Sequence, residues 1–184
     1  MPEGELERFL GPLGAQLRQM AQGLDRRAVE PSSPAKSIGA ETTFETDVTD
    51  SVRLKAVYQD LVQEVAFRLR RTGLFARTVT IKIRYHDWET ITRARTLSQA
   101  SDDDRAIAEA ALGLFQAHAE PGRPVRLVGV SLSNLTGVAQ LSLLAGPEDG
   151  DRRALNSALD DLRKRHGLWV VSRGSHLEGA SRRD

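Results

Sequence analysis

Residues 77–97 of this 184-residue chain combine hydroxyl and cationic side chains in a pattern that could hold phosphate groups. A period of two in the first part is typical of a β-strand with one apolar face and one polar face. The apolar positions are Val79, Ile81, Ile83 and Tyr85, and the polar positions between them are Thr78, Thr80, Lys82 and Arg84. A second run, residues 90–97, adds Thr92, Arg93 and Arg95. A sheet face of threonines and cations predicts a surface that binds nucleic acid.

The distribution of charge supports this interpretation better than the total charge does. The net charge is only +1, yet residues 65–97 carry eight basic residues against Asp87 and Glu89. These basic residues are Arg68, Arg70, Arg71, Arg77, Lys82, Arg84, Arg93 and Arg95. Acidic residues gather elsewhere, in 102–104 and 148–161. The pattern predicts one basic face; the alternative is that these charges only keep the domain soluble.

Composition excludes several other classes of protein. The chain has no cysteine, which excludes a disulfide framework and a thiolate metal site, and its four histidines lack ligand spacing. We therefore expect no metal site in this chain. No apolar run reaches the ~20 residues that span a bilayer, and no signal peptide is visible at the amino terminus. A cytoplasmic protein that does not bind membranes is expected.

The order of predicted elements indicates an α+β fold. Strands are predicted at 36–46, 77–97 (a hairpin) and 124–135, and helices at 50–71 and from 101 onward. The order β-α-β-β-α-β predicts a four-stranded antiparallel sheet with two helices on one face, which leaves the other face open to a ligand. Ser101 and Asp104 fit a capping box for the second helix. Arg93 and Arg95 share parity with Ile91, so they reach the open face only if the strand has a bulge near the hairpin or if they lie at the sheet margin.

Flanking segments complete the predicted organisation. Residues 1–29 form a helical region. Gly11 and Pro12 interrupt its apolar pattern, so either one helix or two short helices are expected. Residues 30–35, EPSSPA, form a linker, and 36–135 form the main domain. Residues 136–184 form a tail whose helix, 151–166, is expected to turn Leu155, Leu159 and Leu162 inward.

Four motifs in this order resemble the little-finger domain of Y-family DNA polymerases, of the bacterial DNA polymerase IV type. They are KSIGAETTF, ARTVTIKIRY, TITRARTL and RLVGVSLSNL. The upstream stretch FLGPLGAQLRQMAQGLDRRAV is similar to the end of the thumb of these enzymes. The catalytic palm and the fingers have no counterpart here, and Asp102–Asp104 is better explained as a helix start than as a two-metal site. The resemblance therefore implies no catalytic residue and no cofactor in this chain, with magnesium expected in the absent palm.

The resemblance also implies a site that grips duplex primer–template DNA without reading its sequence. Lysines and arginines would contact phosphates, while hydroxyl groups would add neutral hydrogen bonds. The implied DNA-binding residues are Lys36, Ser37, Arg77, Thr78, Thr80, Lys82, Arg84, Thr92, Arg93, Arg95, Arg126 and Ser131. With about four to six phosphates neutralised, log K is expected to fall against log salt with a slope of roughly −4 to −5.

A pentapeptide in the tail, QLSLL, is similar to the segment with which bacterial polymerases dock on the sliding clamp. Its residues are Gln140, Leu141, Ser142, Leu143 and Leu144, where the last position is often phenylalanine in the family. The alternative is a last strand or packing loop. Two other functions stay open: a stand-alone, non-catalytic adaptor in DNA damage tolerance, and a ferredoxin-like domain that regulates by binding a small molecule. Whether the chain is a fragment or a whole gene product is also left open.

Overall fold

The computed structural model describes residues 4–28, 35–137 and 147–171, without the side chains of 147–149. The chain divides into two compact units, residues 1–34 and 35–184. The first unit contains the helices α1, Glu5–Leu10, and α2, Pro12–Ala21. They are two helices and not one because Gly11, with φ 58°, takes a positive-φ conformation that glycine adopts easily and that breaks the run. Residues 30–34 of the predicted linker lie outside the described residues.

The second unit has the predicted α+β fold. Its elements are β1 (Ser37–Val48), α3 (Ser51–Thr72), β2 (Phe75–Tyr85), β3 (Thr90–Ser101), α4 (Asp104–His118), β4 (Val125–Thr136) and α5 (Pro147–His166). The four strands pair antiparallel in the order β1-β4-β2-β3. Helices α3 and α4 pack on one face of this sheet, where the side chains of Val79, Ile81 and Ile83 are buried. The β-α-β-β-α-β prediction is confirmed.

The ends of the two packed helices follow from local chemistry. Asp50 caps α3, since its Oδ1 accepts a hydrogen bond of 2.8 Å from the N–H of Val52. Gly73, with φ 69°, ends the helix in a left-handed conformation. The predicted capping box at α4 is wrong. Ser101 still belongs to β3, its hydroxyl accepts from the N–H of Asp103 at 3.1 Å, and Asp103 is the N-cap residue.

Tyr58 ties the two helices to the sheet. Its side chain is fully buried on α3, and its ring centroid lies 5.1 Å from that of Phe115 on α4. The hydroxyl donates a 3.0 Å hydrogen bond to the carbonyl of Lys82 in the centre of β2. Burial raises the pKa of Tyr58 well above its usual range. The apolar side of β2 is thereby fixed, which also fixes the direction of the polar side chains opposite.

Helix α5 is held to α3 and α4 by a charged cluster formed by Arg70, Asp104 and Asp160, called here the Arg70 cluster. Arg70 donates two hydrogen bonds to Asp160, of 2.6 and 2.8 Å, and pairs with Asp104 at 2.5 Å. All three side chains are at most 11% exposed. Burial by itself lowers the pKa of Arg70, but its bonds to Asp160 and the charge of Asp104 outweigh burial and raise it.

Other polar contacts extend this attachment. Arg163, itself buried, donates to Gln63 on α3 at 2.8 Å, and Asn156 donates to Asp103 at 3.1 Å. The prediction that the leucines of this helix turn inward is wrong for Leu155 and Leu162, which are 58% and 43% exposed. The reason is that α5 turns its charged side toward α3 and α4. None of the helices in the described parts of the chain is long and apolar enough to cross a membrane.

Candidate nucleic-acid interface

The sheet face opposite α3 and α4, called here the open face, is built from four cross-strand rows. Residues that face each other across antiparallel strands project on the same side. Each row runs β1, β4, β2, β3. The rows are Ser37-Ser133-Thr78-Thr96, Gly39-Ser131-Thr80-Ala94, Glu41-Gly129-Lys82-Thr92 and Thr43-Leu127-Arg84-Thr90. The face therefore combines hydroxyls and small residues with two cations and one carboxylate.

Two glycines make the centre of the open face shallow. A Cβ added at Gly129 would lie 3.1 Å from the Cβ of Glu41, and one added at Gly39 would lie 3.3 Å from the carbonyl oxygen of Val130. The resulting trough has a volume of about 440 Å³ and is also lined by Thr80, Thr92 and Ser131. Gly39 and Gly129 place no side chain of their own between the backbone and a ligand, while the side chains of Glu41 and Lys82 also line the trough.

The two cations of the open face already have partners within the protein. Lys82 pairs with Glu41 at 3.0 Å across β4. Arg84 donates from Nε to the hydroxyl of Thr90 at 2.9 Å, and its guanidinium carbon lies 5.9 Å from the ring centroid of Trp88. Both bonds hold the cationic groups in defined positions over the face. The pairing with Glu41 also reduces the positive charge that Lys82 can offer to a phosphate.

The remaining predicted residues lie at the margins or inside the sheet. Lys36 and Arg77 are exposed, Lys36 just before β1 and Arg77 in β2 opposite the irregularity of β3. Arg126 occupies the bulge of β4 and pairs with Asp47 at 3.5 Å. The hydroxyl of Thr78 is nearly buried and accepts a 2.8 Å hydrogen bond from Asn134, so it is less available to a ligand than Thr80.

Arg93 and Arg95 do not project from the open face but lie at the sheet margin, on edge strand β3, which is one of the two placements that the sequence left open. Their assignment as DNA-binding residues stays a prediction. They pair with Ile81 and Val79, whose side chains are buried under the helices, so both arginines project on the helix side of the edge strand β3. Consistent with this, a guanidinium nitrogen of Arg95 lies 3.8 Å from the place of a Cβ at Gly113 in α4. The irregularity in β3 falls between its pairings with Ala76 and Thr78, at the end far from the hairpin. It therefore does not change the side of the sheet on which Arg93 and Arg95 project.

The basic stretch of the sequence likewise does not form one face. Arg68, Arg70 and Arg71 lie on α3, which packs on the other side of the sheet. Arg70 is buried in its cluster, and Arg68 donates to the carbonyl of Gly39 at 2.8 Å. The list of implied DNA-binding residues also left out four residues that the rows bring together with the predicted ones, although two of them, Thr90 and Thr96, belong to the polar run 90–97. The four are Thr43, Thr90, Thr96 and Ser133. The alternation along residues 90–97 puts Thr90 and Thr96 on the same side of the strand as the predicted Thr92, so this signal could have identified both.

The five residues of the predicted clamp-binding segment, 140–144, lie outside the described residues.

The β2–β3 hairpin tip is braced from the helix side. Arg123, in the α4–β4 loop, pairs with Asp87 at 2.6 Å and also with Glu89 and Glu120, and it stacks over Tyr85 with 3.9 Å to the ring centroid. The hydrogen bond from Arg123 lowers the pKa of Asp87. The turn itself closes through the N–H of Trp88, which donates to the carbonyl of Tyr85 at 3.1 Å.

Comparisons with known proteins place this chain in a family. The sequence profile of the impB/mucB/samB family C-terminal domain matches residues 35–143. DNA polymerase IV of Dehalococcoides mccartyi strain CBDB1 is 37% identical over 175 residues, covering 95% of this chain and 45% of the relative. DNA polymerase IV of Methanoculleus marisnigri is 42% identical over 128 residues, covering 70% of this chain and 35% of the relative. A solved structure titled "Complex of beta-clamp processivity factor and little finger domain of PolIV" is 20% identical, covers 60% of this chain and 98% of that chain, and gives a TM-score of 0.47.

The chain thus spans less than half the length of these polymerase IV relatives. The matched region contains all four strands, the two helices packed on them and the open face. The resemblance that the four sequence motifs indicated is confirmed. This chain belongs to the impB/mucB/samB family, the Y-family DNA polymerases of the polymerase IV type, and carries their C-terminal little-finger domain.

Proposed function

We propose that this domain binds duplex DNA through its open face, without reading base sequence, as part of a translesion DNA polymerase. The observation that carries the proposal is the arrangement of small hydroxyl residues and glycines in cross-strand rows around Lys82 and Arg84. Such a surface offers donors to phosphate and sugar oxygens and little that could distinguish one base pair from another. A damaged template is tolerated by a surface of this kind.

The side chains of the four rows also favour binding of duplex DNA over binding of single-stranded RNA. Sheets that bind single-stranded RNA present aromatic side chains on their central strands for base stacking. The four rows contain no aromatic residue, and Tyr85 projects into the core. Backbone holding of a double helix is therefore the expected mode of binding.

Salt dependence tests the proposal. The cations of the open face and its margins are Lys36, Arg77, Lys82, Arg84 and Arg126, and at most these five can each neutralise a phosphate. The slope of log K against log salt is then about −4.5 or shallower. Fluorescence anisotropy of labelled duplex at several salt concentrations measures it. Absence of binding at low salt, or a slope near zero, would contradict the proposal and favour a small-molecule regulatory domain.

Charge changes within one row give a sharper prediction. Glu41→Gln removes the one carboxylate of the four rows and releases Lys82, so duplex affinity is expected to rise about three- to tenfold. Lys82→Gln is expected to weaken binding by a similar factor. Asp161→Asn is the matched control, because Asp161 also forms an exposed pair with a lysine, Lys164 at 3.1 Å, and both residues lie on α5, away from the open face. If Glu41→Gln leaves the affinity unchanged, this row does not touch DNA.

We further propose that residues 140–144 dock this protein on the sliding clamp. The support is the order of a glutamine and two later leucines, Leu143 and Leu144, directly after the last strand of the sheet. Alanine at Leu143 and Leu144 removes the side chains that would fill an apolar pocket, so clamp affinity is expected to fall at least tenfold. Surface plasmon resonance with immobilised clamp measures this. Duplex binding serves as the control and should not change; equal clamp affinity of both proteins would remove the assignment.

In this proposal nucleotidyl transfer belongs to a palm with magnesium ions, and the domain described here only positions the substrate. The work would take place in the cytoplasm, during replication across damaged template. A separate adaptor that recruits another polymerase would show the same binding to duplex and clamp. It would differ in having no palm in the same polypeptide.

A further inference from the structure

Trp88 occupies a position at the hairpin tip that its own conformation does not favour. Its φ is 69°, in the left-handed region where residues other than glycine are uncommon. The N–H of Tyr85 donates to the carbonyl of Glu89 at 2.9 Å, so residues 86–88 form a three-residue hairpin loop, and the last position of such a loop commonly holds a residue with left-handed geometry, most easily glycine. A large aromatic side chain here costs folding energy, and the side chain is 68% exposed. Burial in the core therefore does not explain its presence.

The backbone of Trp88 is nevertheless held by hydrogen bonds from residues of the open face. Arg84 donates to the hydroxyl of Thr90, and that hydroxyl donates to the carbonyl of Trp88 at 3.3 Å. From the other side, Arg123 braces the tip through Asp87 and Glu89. The carboxylates of the tip are thus drawn toward Arg123, while the indole lies near the guanidinium of Arg84.

We propose that Trp88, with Arg84 beside it, stacks on an unpaired base of the DNA that lies on the open face. The inference rests on the proposed DNA binding and adds a contact to it. Both faces of every base inside a duplex are covered by neighbouring bases, whereas each unpaired base of a single-stranded extension can turn a face toward an exposed indole. Aromatic and guanidinium groups are the side chains on which unpaired bases stack. The domain should therefore prefer a duplex with a single-stranded extension over a blunt one.

Tryptophan fluorescence tests this contact directly. The chain has only two tryptophans, Trp88 and Trp169, so replacing one isolates the emission of the other. In Trp169→Phe the remaining emission comes from Trp88, and we expect a duplex with an extension to quench it at least twice as strongly as a blunt duplex of equal length. Anisotropy of the same labelled DNAs reports binding independently. Trp88→Gly is expected to lose the preference for the extension, with about five- to fiftyfold weaker binding of that DNA, while Trp88→Phe keeps most of it.

A thermal melt separates this role from a structural one. Trp88→Gly relieves the left-handed strain, so its melting temperature should equal or exceed that of the unchanged protein. A large fall in melting temperature would mean that Trp88 acts through folding and would overturn the inference. If both DNAs bind but the emission of Trp88 and the affinity of Trp88→Gly stay unchanged, the stacking contact is wrong and DNA binding stands. If neither DNA binds at low salt, both proposals fail.

Discussion

Replacement of Arg70 by alanine is expected to lower the free energy of unfolding of the 35–184 unit by about 3–5 kcal/mol. Removing the arginine leaves Asp104 and Asp160, each less than 10% exposed, without their shared cation. Breaking a buried charge network costs this much because the remaining charges stay desolvated. Urea denaturation followed by circular dichroism measures the change. This variant is also expected to weaken the attachment of α5.

Arg71→Ala provides the matched control, since Arg71 is the next residue of α3 and is exposed. Its expected cost is within about 0.5 kcal/mol. A double-mutant cycle of Arg70→Met and Asp160→Asn isolates the pairwise part, for which a coupling of about 1–3 kcal/mol is expected. Equal losses for Arg70→Ala and Arg71→Ala would show that the cluster contributes nothing specific.

The second large effect is expected at Tyr58. Tyr58→Ala should destabilise the domain by about 3–5 kcal/mol, since a fully buried aromatic ring between α3, α4 and β2 is lost. Tyr58→Phe keeps the ring and loses only the hydrogen bond to the carbonyl of Lys82, so a cost of about 1 kcal/mol is expected. The same urea experiment at neutral pH measures both. Similar losses in the two variants would mean that packing of this ring is unimportant.

The pKa of Tyr58 adds a pH dependence to this comparison. Burial raises the pKa above the ordinary value near 10, so the folded state keeps the proton when the unfolded chain has lost it. The corresponding stability is present below about pH 10 and is lost as the pH rises further. Between pH 10 and 11.5, roughly, the unchanged protein should lose more stability than Tyr58→Phe. Parallel curves for the two proteins would contradict this.

The fold was predictable because local patterns and the global fold agree. The alternation from Val79 to Tyr85 fixed which side of β2 is buried, and the apolar stripe of residues 54–69 fixed the packed side of α3. The placement of Lys82 and Arg84 on the open face follows directly. These inferences need only the period of each element.

The parts that failed depend on pairing across the chain. The side of the sheet on which Arg93 and Arg95 project could not be predicted, because the face of an edge strand depends on where its bulge lies, and no local signal gives that position. The attachment of α5 was missed because Arg70 and Asp160 are 90 residues apart. The leucines of α5 misled the prediction, since an amphipathic pattern does not tell which side meets the domain when a charge network competes with it.

The place of α5 has a consequence for any partner of residues 140–144. This stretch lies between Thr136, the last residue of β4, and Pro147, the first of α5, and both elements belong to the same unit. Such a span measures no more than about 40 Å at full extension. A partner that binds residues 140–144, as proposed above, would therefore stay within about 40 Å of the end of β4 and of the open face beside it. If the protein binds the sliding clamp and DNA weakly and at the same time, each contact would then strengthen the other, because binding of one raises the local concentration of the other.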